Sequence, residues 1–272
     1  MPLALTRRSF ALGALGTLGL GALPFGRAQD SPRVGLVIMH GKNPGRPQDL
    51  GLIPLRTTLE RQGWQLLVPE MPWSRGRYLE GHWDSAMAEV AAHVKTLLDA
   101  GAQRIVLVGH SMGCPAAMSH AARGGRADAL VLLAPGHTPV GYYTAAQAKI
   151  VRDSIDEARA AVAAGRGDAI GRFQDINQGR QQVAIATARN YLSFFDPQSE
   201  AEMSVTAPKL PHSLPVLTAI GERDPLFSRV RSYYVDSLPK NPQSQLLEVS
   251  GGHLDTPRIA ADQVVAWIKA VV

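Results

Sequence analysis

Apolar residues along the chain fall into two alternating patterns, short unbroken runs and stretches with helical spacing. After Arg33 the sequence reads VGLVIMHG, a run of strand length rich in branched residues, followed by the Gly/Pro-rich loop GKNPGRP. This predicts a buried strand closed by a turn. Leu50, Ile53 and Leu59 then show helical spacing within 49–62, and WQLLVPEMP predicts a short second strand. From Trp83 to Ala100, Met87, Val90, Val94, Leu97 and Leu98 recur at i, i+3, i+4 spacing, predicting a helix with Asp84 as its N-cap. RIVLVGHS supplies the third strand. The rhythm continues with a helix from Met112 to Arg123, the strands ALVLLAPG and LPVLTAIG, a helix from Ser228 to Leu238, the strand SQLLEVSGG and a helix from Arg258 to the C-terminus. Continuous apolar strands separated by helices imply an α/β fold, a mostly parallel sheet with helices on both faces.

Residues 138–213 break this rhythm. Three helix-like stretches replace the single expected crossover, the first carrying Ile150, Ile155, Ala158 and Val162 on one face, the last Val183, Tyr191, Leu192 and Phe195. The segment reads as a helical cap inserted over the ligand-binding edge of the sheet. Its aromatics Tyr191, Phe194 and Phe195 either pack on the sheet or line a pocket, and both readings stay open. The same holds for Met71, Trp73 and Trp83.

The N-terminus carries a different signal. Thr6-Arg7-Arg8-Ser9-Phe10 precedes the apolar run ALGALGTLGLGALPFG and the small-x-small cleavage pattern Gly26-Arg27-Ala28. Paired arginines before Ser-Phe resemble a twin-arginine export signal, which implies an export-machinery partner and a periplasmic or secreted mature domain over 29–272. The alternative, an uncleaved anchor, meets an apolar run short for a membrane span.

The chain has 272 residues, enough for one large domain with a sizeable core. Its net charge of +5 owes three units to Arg7, Arg8 and Arg27; without these the body carries 25 basic against 23 acidic residues, a net of +2. A nearly neutral body without a basic stripe argues against nucleic acid as a partner. Cys114 stands alone and no Cys/His spacing suits zinc, so no structural metal is expected.

The candidate chemistry sits at strand ends. Gly109-His110-Ser111-Met112-Gly113 matches G-x-S-x-G, a weak string alone but a specific one where it follows a strand and opens a helix, as here. There a tight turn exposes the serine, and the helix dipole favours the charge that develops on attack. A serine needs a base and an orienting acid. Asp224, in GERDP after LPVLTAIG, and His253, in GGHLD after SQLLEV, follow in the order Ser, acid, His, at the same sheet end as Ser111. Asp224 can instead cap the next helix, with Asp196 or Glu222 as reserve acids. His137 and His212 sit at the cap's two roots, where each can line the site or take a solvated surface role. Cys114 suits packing under the nucleophile, a regulatory or intermolecular thiol being the alternative.

From His40 to the terminal helix, the chain resembles an α/β-hydrolase. The resemblance implies Ser111 as nucleophile, Asp224 as triad acid and His253 as general base. His40-Gly41 matches the family's H-G motif, which implies oxyanion donors at the backbone N–H of Met112 and of Lys42, each worth roughly 3 to 4 kcal/mol in comparable enzymes. His40 and Trp73 join Tyr191, Phe194 and Phe195 as candidate pocket residues. The HGGG run of many lipases is absent, and a serine nucleophile weighs against dehalogenase and epoxide-hydrolase chemistry. The expected activity is cleavage of a small-molecule carboxylic ester or thioester through an acyl-enzyme, without a cofactor. Acyl transfer on the same triad, or a non-catalytic binding role on the same fold, are the alternatives.

Overall fold

A computed structural model describes residues 32–43 and 50–272, so the export signal expected over 1–28 lies outside the described residues. The first apolar run forms β1 (Val34–Met39), buried throughout. A 3-10 turn over Leu50–Leu52 leads into α1 (Ile53–Glu60), whose first turn holds a proline where the missing N–H costs nothing. The second strand shrinks to β2 (Gln65–Leu67), because Pro69 and Pro72 have no N–H with which to extend a ladder.

The long periodic stretch is α2 (Trp83–Asp99), but its N-cap is His82 and not Asp84: the His82 imidazole accepts the Asp84 N–H at 3.2 Å. Asp84 lies inside the first turn, bonded to Arg123 at 2.6 Å. β3 (Arg104–Ser111), α3 (Gly113–Ala122) and β4 (Ala129–Pro135) follow as the pattern predicts.

Between β4 and the strand expected at LPVLTAIG, the expectation of three helical stretches fails in the middle. The segment holds α4 (Pro139–Thr144), α5 (Lys149–Ala163), the antiparallel hairpin β5 (Ile170–Asn177) and β6 (Arg180–Thr187), then α6 (Ala188–Phe195) and α7 (Met203–Thr206). The two hairpin-turn residues, Gln178 and Gly179, have φ of 50° and 75°, the left-handed pair a two-residue turn needs. Val183 therefore belongs to a strand, not to the last helix.

β7 (Val216–Gly221) returns to the sheet. The helix expected over Ser228–Leu238 is reduced to α8 (Val230–Tyr233) between 3-10 turns, because Tyr234, at φ −154°, turns inward and shares a 2.7 Å hydrogen bond with Thr218. β8 (Gln245–Val249), α9 (Thr256–Ile259) and α10 (Ala261–Val271) complete the chain. The large sheet runs β2-β1-β3-β4-β7-β8, every neighbouring pair parallel. Among the described residues no helix is long and apolar enough to cross a membrane.

Alternation along the strands sorts the core into two layers. Leu36, Ile38, Val106, Val108 and Val131 meet α1 and α10 through Leu55, Leu59, Val264 and Ile268. Met39, Leu107, Leu130 and Leu132 meet α2 and α3, and this layer continues without a break into the inserted segment through Trp83, Phe173, Tyr191 and Phe194. Trp73 and Trp83 stack at 6.1 Å, Trp83 meets Phe194 edge-on at 5.0 Å, and Phe173, Tyr191 and Phe195 stack at 4.6 and 4.4 Å. Trp73, Tyr191, Phe194 and Phe195 have no more than a trace of exposed surface. In this structure these aromatics sit buried in the core layer, the position that the packing reading describes.

β3 passes into α3 by a backbone-on-backbone approach. A Cβ on Gly109 would collide with the Gly113 carbonyl, and one on Gly113 with the Met39 carbonyl. Two stability changes follow. Gly113→Ala is expected to cost about 2 kcal/mol through forced backbone displacement, read as a fall of roughly 5 °C in Tm for a domain of this size; an unchanged Tm would show that the turn yields freely. Phe195→Ala opens a cavity in the aromatic stack and is expected to cost about 3 to 5 kcal/mol, with an unaltered Tm refuting the packing role.

Candidate active site

β3 keeps register with β4 as far as His110 and then slips, so that Ser111 pairs with Pro135. Ser111 has φ 52°, a left-handed conformation that costs a side-chain-bearing residue about 1 to 3 kcal/mol. The turn lifts its hydroxyl out of the sheet at the start of α3. Three further strand ends meet it there. A Cβ on Gly41 would stand 3.1 Å from the Ser111 Cβ, and one on Gly136 would stand 2.6 Å from the Ser111 Oγ and 3.2 Å from the His253 ring. Gly136, which the sequence reading passed over, thus keeps open the space in front of the hydroxyl; its only signal was the Pro-Gly ending of β4.

His253 Nε2 lies 2.9 Å from Ser111 Oγ, and His253 Nδ1 lies 2.7 Å from Asp224 Oδ2. The Asp224 side chain is 2% exposed, the His253 side chain 22%. Asp224 is not the cap of the next element, whose N-cap is Leu226 with no side-chain bond; its other oxygen accepts the Leu226 N–H at 2.8 Å, a local turn contact. That bond fixes one carboxylate oxygen and leaves the other directed at the imidazole. The reserve acids are elsewhere: Asp196 pairs with Arg159 at 2.9 Å and Glu222 is exposed. His110 lies under His253, ring centroids 5.4 Å apart, with its Nε2 3.2 Å from the His253 carbonyl. Chemically the arrangement is a proton relay: Ser111 donates to Nε2 while Nδ1 donates to a buried carboxylate.

Met112 directly follows Ser111, and Lys42 directly follows Gly41, where a Cβ would stand 3.1 Å from the Ser111 Cβ; among the described residues neither backbone N–H is found bonded to a protein acceptor. Two such donors suit a carbonyl oxygen gaining negative charge. His40 and Trp73 are positioned behind this loop rather than in a pocket. His40 donates from Nδ1 to the Gly41 carbonyl at 2.7 Å and accepts the Met71 N–H on Nε2 at 3.0 Å, while Trp73 Nε1 donates to the His40 carbonyl at 2.8 Å.

The Lys42 side chain goes somewhere the sequence did not reveal. Its ammonium is buried 2.7 Å from Asp175 on β5 and 3.3 Å from the Tyr142 hydroxyl, and lies 5.2 Å from the ring centres of Tyr142 and Phe195. Asp175 takes two more donors, Tyr78 Oη and Gln182 Nε2, each at 2.6 Å. Burial works to raise the Asp175 carboxyl, but Lys42 and the two donors outweigh it and hold it below the ordinary range. Burial likewise works to lower Lys42, and Asp175 reverses this and raises it.

His137 corrects a further expectation. It is buried rather than solvated, at φ 61°, with Nε2 donating to the Phe194 carbonyl at 2.6 Å. Burial, reinforced by Lys42, pushes it down to about 3, so the ring is neutral. His212 is exposed. Cys114 is buried with its sulfur against the Gly109 and Leu133 carbonyls, and burial pushes the thiol well up, which removes it as a reactive thiolate. Among the described residues no group of His, Cys, Asp and Glu could hold a metal ion.

Comparison with known proteins adds to this geometry. Sequence comparison with curated proteins finds no match. Solved structures similar to the chain include a metagenome-derived lipolytic enzyme of the LipS and LipT pair, at TM-score 0.60 and 15% identity, covering 88% of this chain and 94% of that one. Another is a thermostable carboxyl esterase from Bacillus coagulans, at 0.59 and 12%, covering 88% and 90%. A third is Est1E from Butyrivibrio proteoclasticus with ferulic acid bound, at 0.56 and 16%, covering 92% and 93%. At such identities these establish shared architecture. The profile of the alpha/beta hydrolase family matches residues 18–267, and the chain belongs to that family.

Proposed function

We propose that the protein is an exported serine hydrolase that cleaves a small-molecule carboxylic ester or thioester through Ser111, His253 and Asp224. The observation that carries this reading is the unbroken Ser111–His253–Asp224 hydrogen-bond chain, at 2.9 and 2.7 Å. Esterases and lipolytic enzymes among the structurally similar proteins support the same reaction class.

In this mechanism His253 Nε2 takes the Ser111 proton as Oγ attacks the acyl carbonyl, and Asp224 stabilises the imidazolium and fixes its tautomer. The developing oxyanion sits between the N–H groups of Met112 and Lys42. His253 returns the proton to the leaving alcohol or thiol, and the acyl-Ser111 intermediate is released by water that His253 activates in turn. No step requires a cofactor. The export component rests on Arg7 and Arg8 in the N-terminal pattern.

Ser111→Ala is expected to abolish hydrolysis of p-nitrophenyl esters and labelling by a fluorophosphonate probe while leaving Tm within about 2 °C. Full activity in that variant removes Ser111 from the mechanism. Acyl transfer would show itself as a new ester when an acceptor alcohol is added, and a binding protein as wild type that neither hydrolyses nor labels.

Asp224→Asn should lower kcat by about a thousandfold or more, because the tautomer is lost. A comparable loss in Asp196→Asn instead would move the acid. For export, Arg7 and Arg8 changed together to Lys should hold the protein in the cytoplasm, and unaltered fractionation would refute the twin-arginine reading.

A further inference from the structure

Lys42 occupies two places at once. Its backbone follows Gly41, which is packed on Ser111, and its ammonium is buried against the β5–β6 hairpin of the inserted segment. A buried unpaired ammonium is expensive, so the side chain stays inside only while a counter-charge holds it there. Asp175 is that counter-charge, itself fully buried and fixed by Tyr78 and Gln182 from two other stretches of chain. On the other side, the loop is anchored by the Asn43 N–H on the Trp73 carbonyl at 2.8 Å and by His40.

We infer that Asp175 is a positioning residue for the oxyanion-binding loop: by retaining the Lys42 side chain in the interior, it sets the Lys42 backbone N–H against the reacting carbonyl. The inference rests on the proposed role of that N–H. Asp175 bonds Lys42, Tyr78 and Gln182 and acts on the loop through Lys42. The ester-cleaving machinery therefore includes a residue from the inserted hairpin, on a different element from every member of the proton relay.

The near-isosteric Asp175→Asn keeps an acceptor for Tyr78 or Gln182 but removes the counter-charge. Lys42 then moves toward water while protonated and returns when neutral. With short p-nitrophenyl esters, kcat is expected to fall about a hundredfold at neutral pH with KM within about threefold. The lost activity should return as pH rises toward 10, giving a basic limb that wild type lacks. The other groups facing the pair are Tyr78, Tyr142, His137 and, toward Asp175, Tyr191. Burial pushes the three phenols up and His137 down to about 3, leaving Lys42 as the group to titrate in that window.

Lys42→Met/Asp175→Asn, which has no ammonium to expel, should recover part of the loss and show no basic limb. Asp175→Glu keeps the charge and should hold kcat within about tenfold of wild type, which also provides a reading if Asp175→Asn does not fold. Wild-type kcat and pH profile in Asp175→Asn, beside an active and probe-reactive wild type, overturn this inference alone. A pH-independent loss shared equally by Asn, Glu and the double variant, in step with a fall in Tm, overturns it as well and leaves Asp175 purely structural. A wild type that neither labels nor hydrolyses any ester of the series overturns the hydrolase reading, and this inference with it.

Discussion

Everything at the site depends on how closely the β3–α3 turn can approach the end of β1. Gly109 and Gly113 lie against each other, and Gly113 lies on the Met39 carbonyl, so a side chain at either position pushes α3 off the sheet. That displacement would carry the Met112 N–H and the positive end of α3 away from Ser111, and it would part Gly41 from the nucleophile. The turn is strained at Ser111 and is held by what surrounds it: every residue of α3 from Gly113 to Ala121 is buried. Packing energy from a whole helix offsets the cost of one residue in a left-handed conformation.

The inserted segment belongs to the same physical unit. Its rings continue the core layer of α2 and α3, and Asp175, one of its two fully buried carboxylates, pairs with the loop after β1. Separating the hairpin from that loop would expose two charges to each other's absence in a dry interior, a far larger penalty than separating two apolar faces. The sign of each shift fixes the pH window of the pair. Asp175, held below its ordinary range, contributes stability that is lost only as pH falls through its lowered value; Lys42, held above its own, contributes until pH rises through its raised value. Across the neutral range both contributions are present in full.

The parts of this architecture that the sequence makes legible share one property, locality. Strand runs, the helical spacing of α2 and the G-x-S-x-G turn are each encoded within a few neighbouring residues, and chain order places Asp224 and His253 at strand ends. Boundaries decided by a tertiary partner were not legible. Tyr234 leaves its helix for Thr218, and His82 takes the cap that Asp84 is equally able to fill. The hairpin was legible but misread: Phe173, Asp175, Ala184 and Ala186 alternate with exposed Arg172 and Ile185 about a Gln-Gly turn, a period of two mistaken for helix. The Lys42–Asp175 pair spans 133 positions and leaves no local mark, since a lysine after a strand and an aspartate in a polar stretch both read as solvated.

That pair acts on the register of β5 together with the aromatic packing. Phe173, buried in the stack with Tyr191 and Phe195, alternates with exposed Arg172, so apolar burial favours the same inward face as the charge does. A one-residue slip of a strand exchanges its two faces. Here it would turn Asp175 outward and bring Gln174 or Ile176 against the Lys42 ammonium, leaving a buried cation with no counter-ion and Tyr78 with no carboxylate to meet. Apolar burial and charge thus select the same face, and the charge adds a penalty for any slip that apolar contact alone would not impose. The pair also joins the inserted segment to the loop beside Ser111, so the register of a two-stranded hairpin and the surroundings of the nucleophile are coupled through a buried contact.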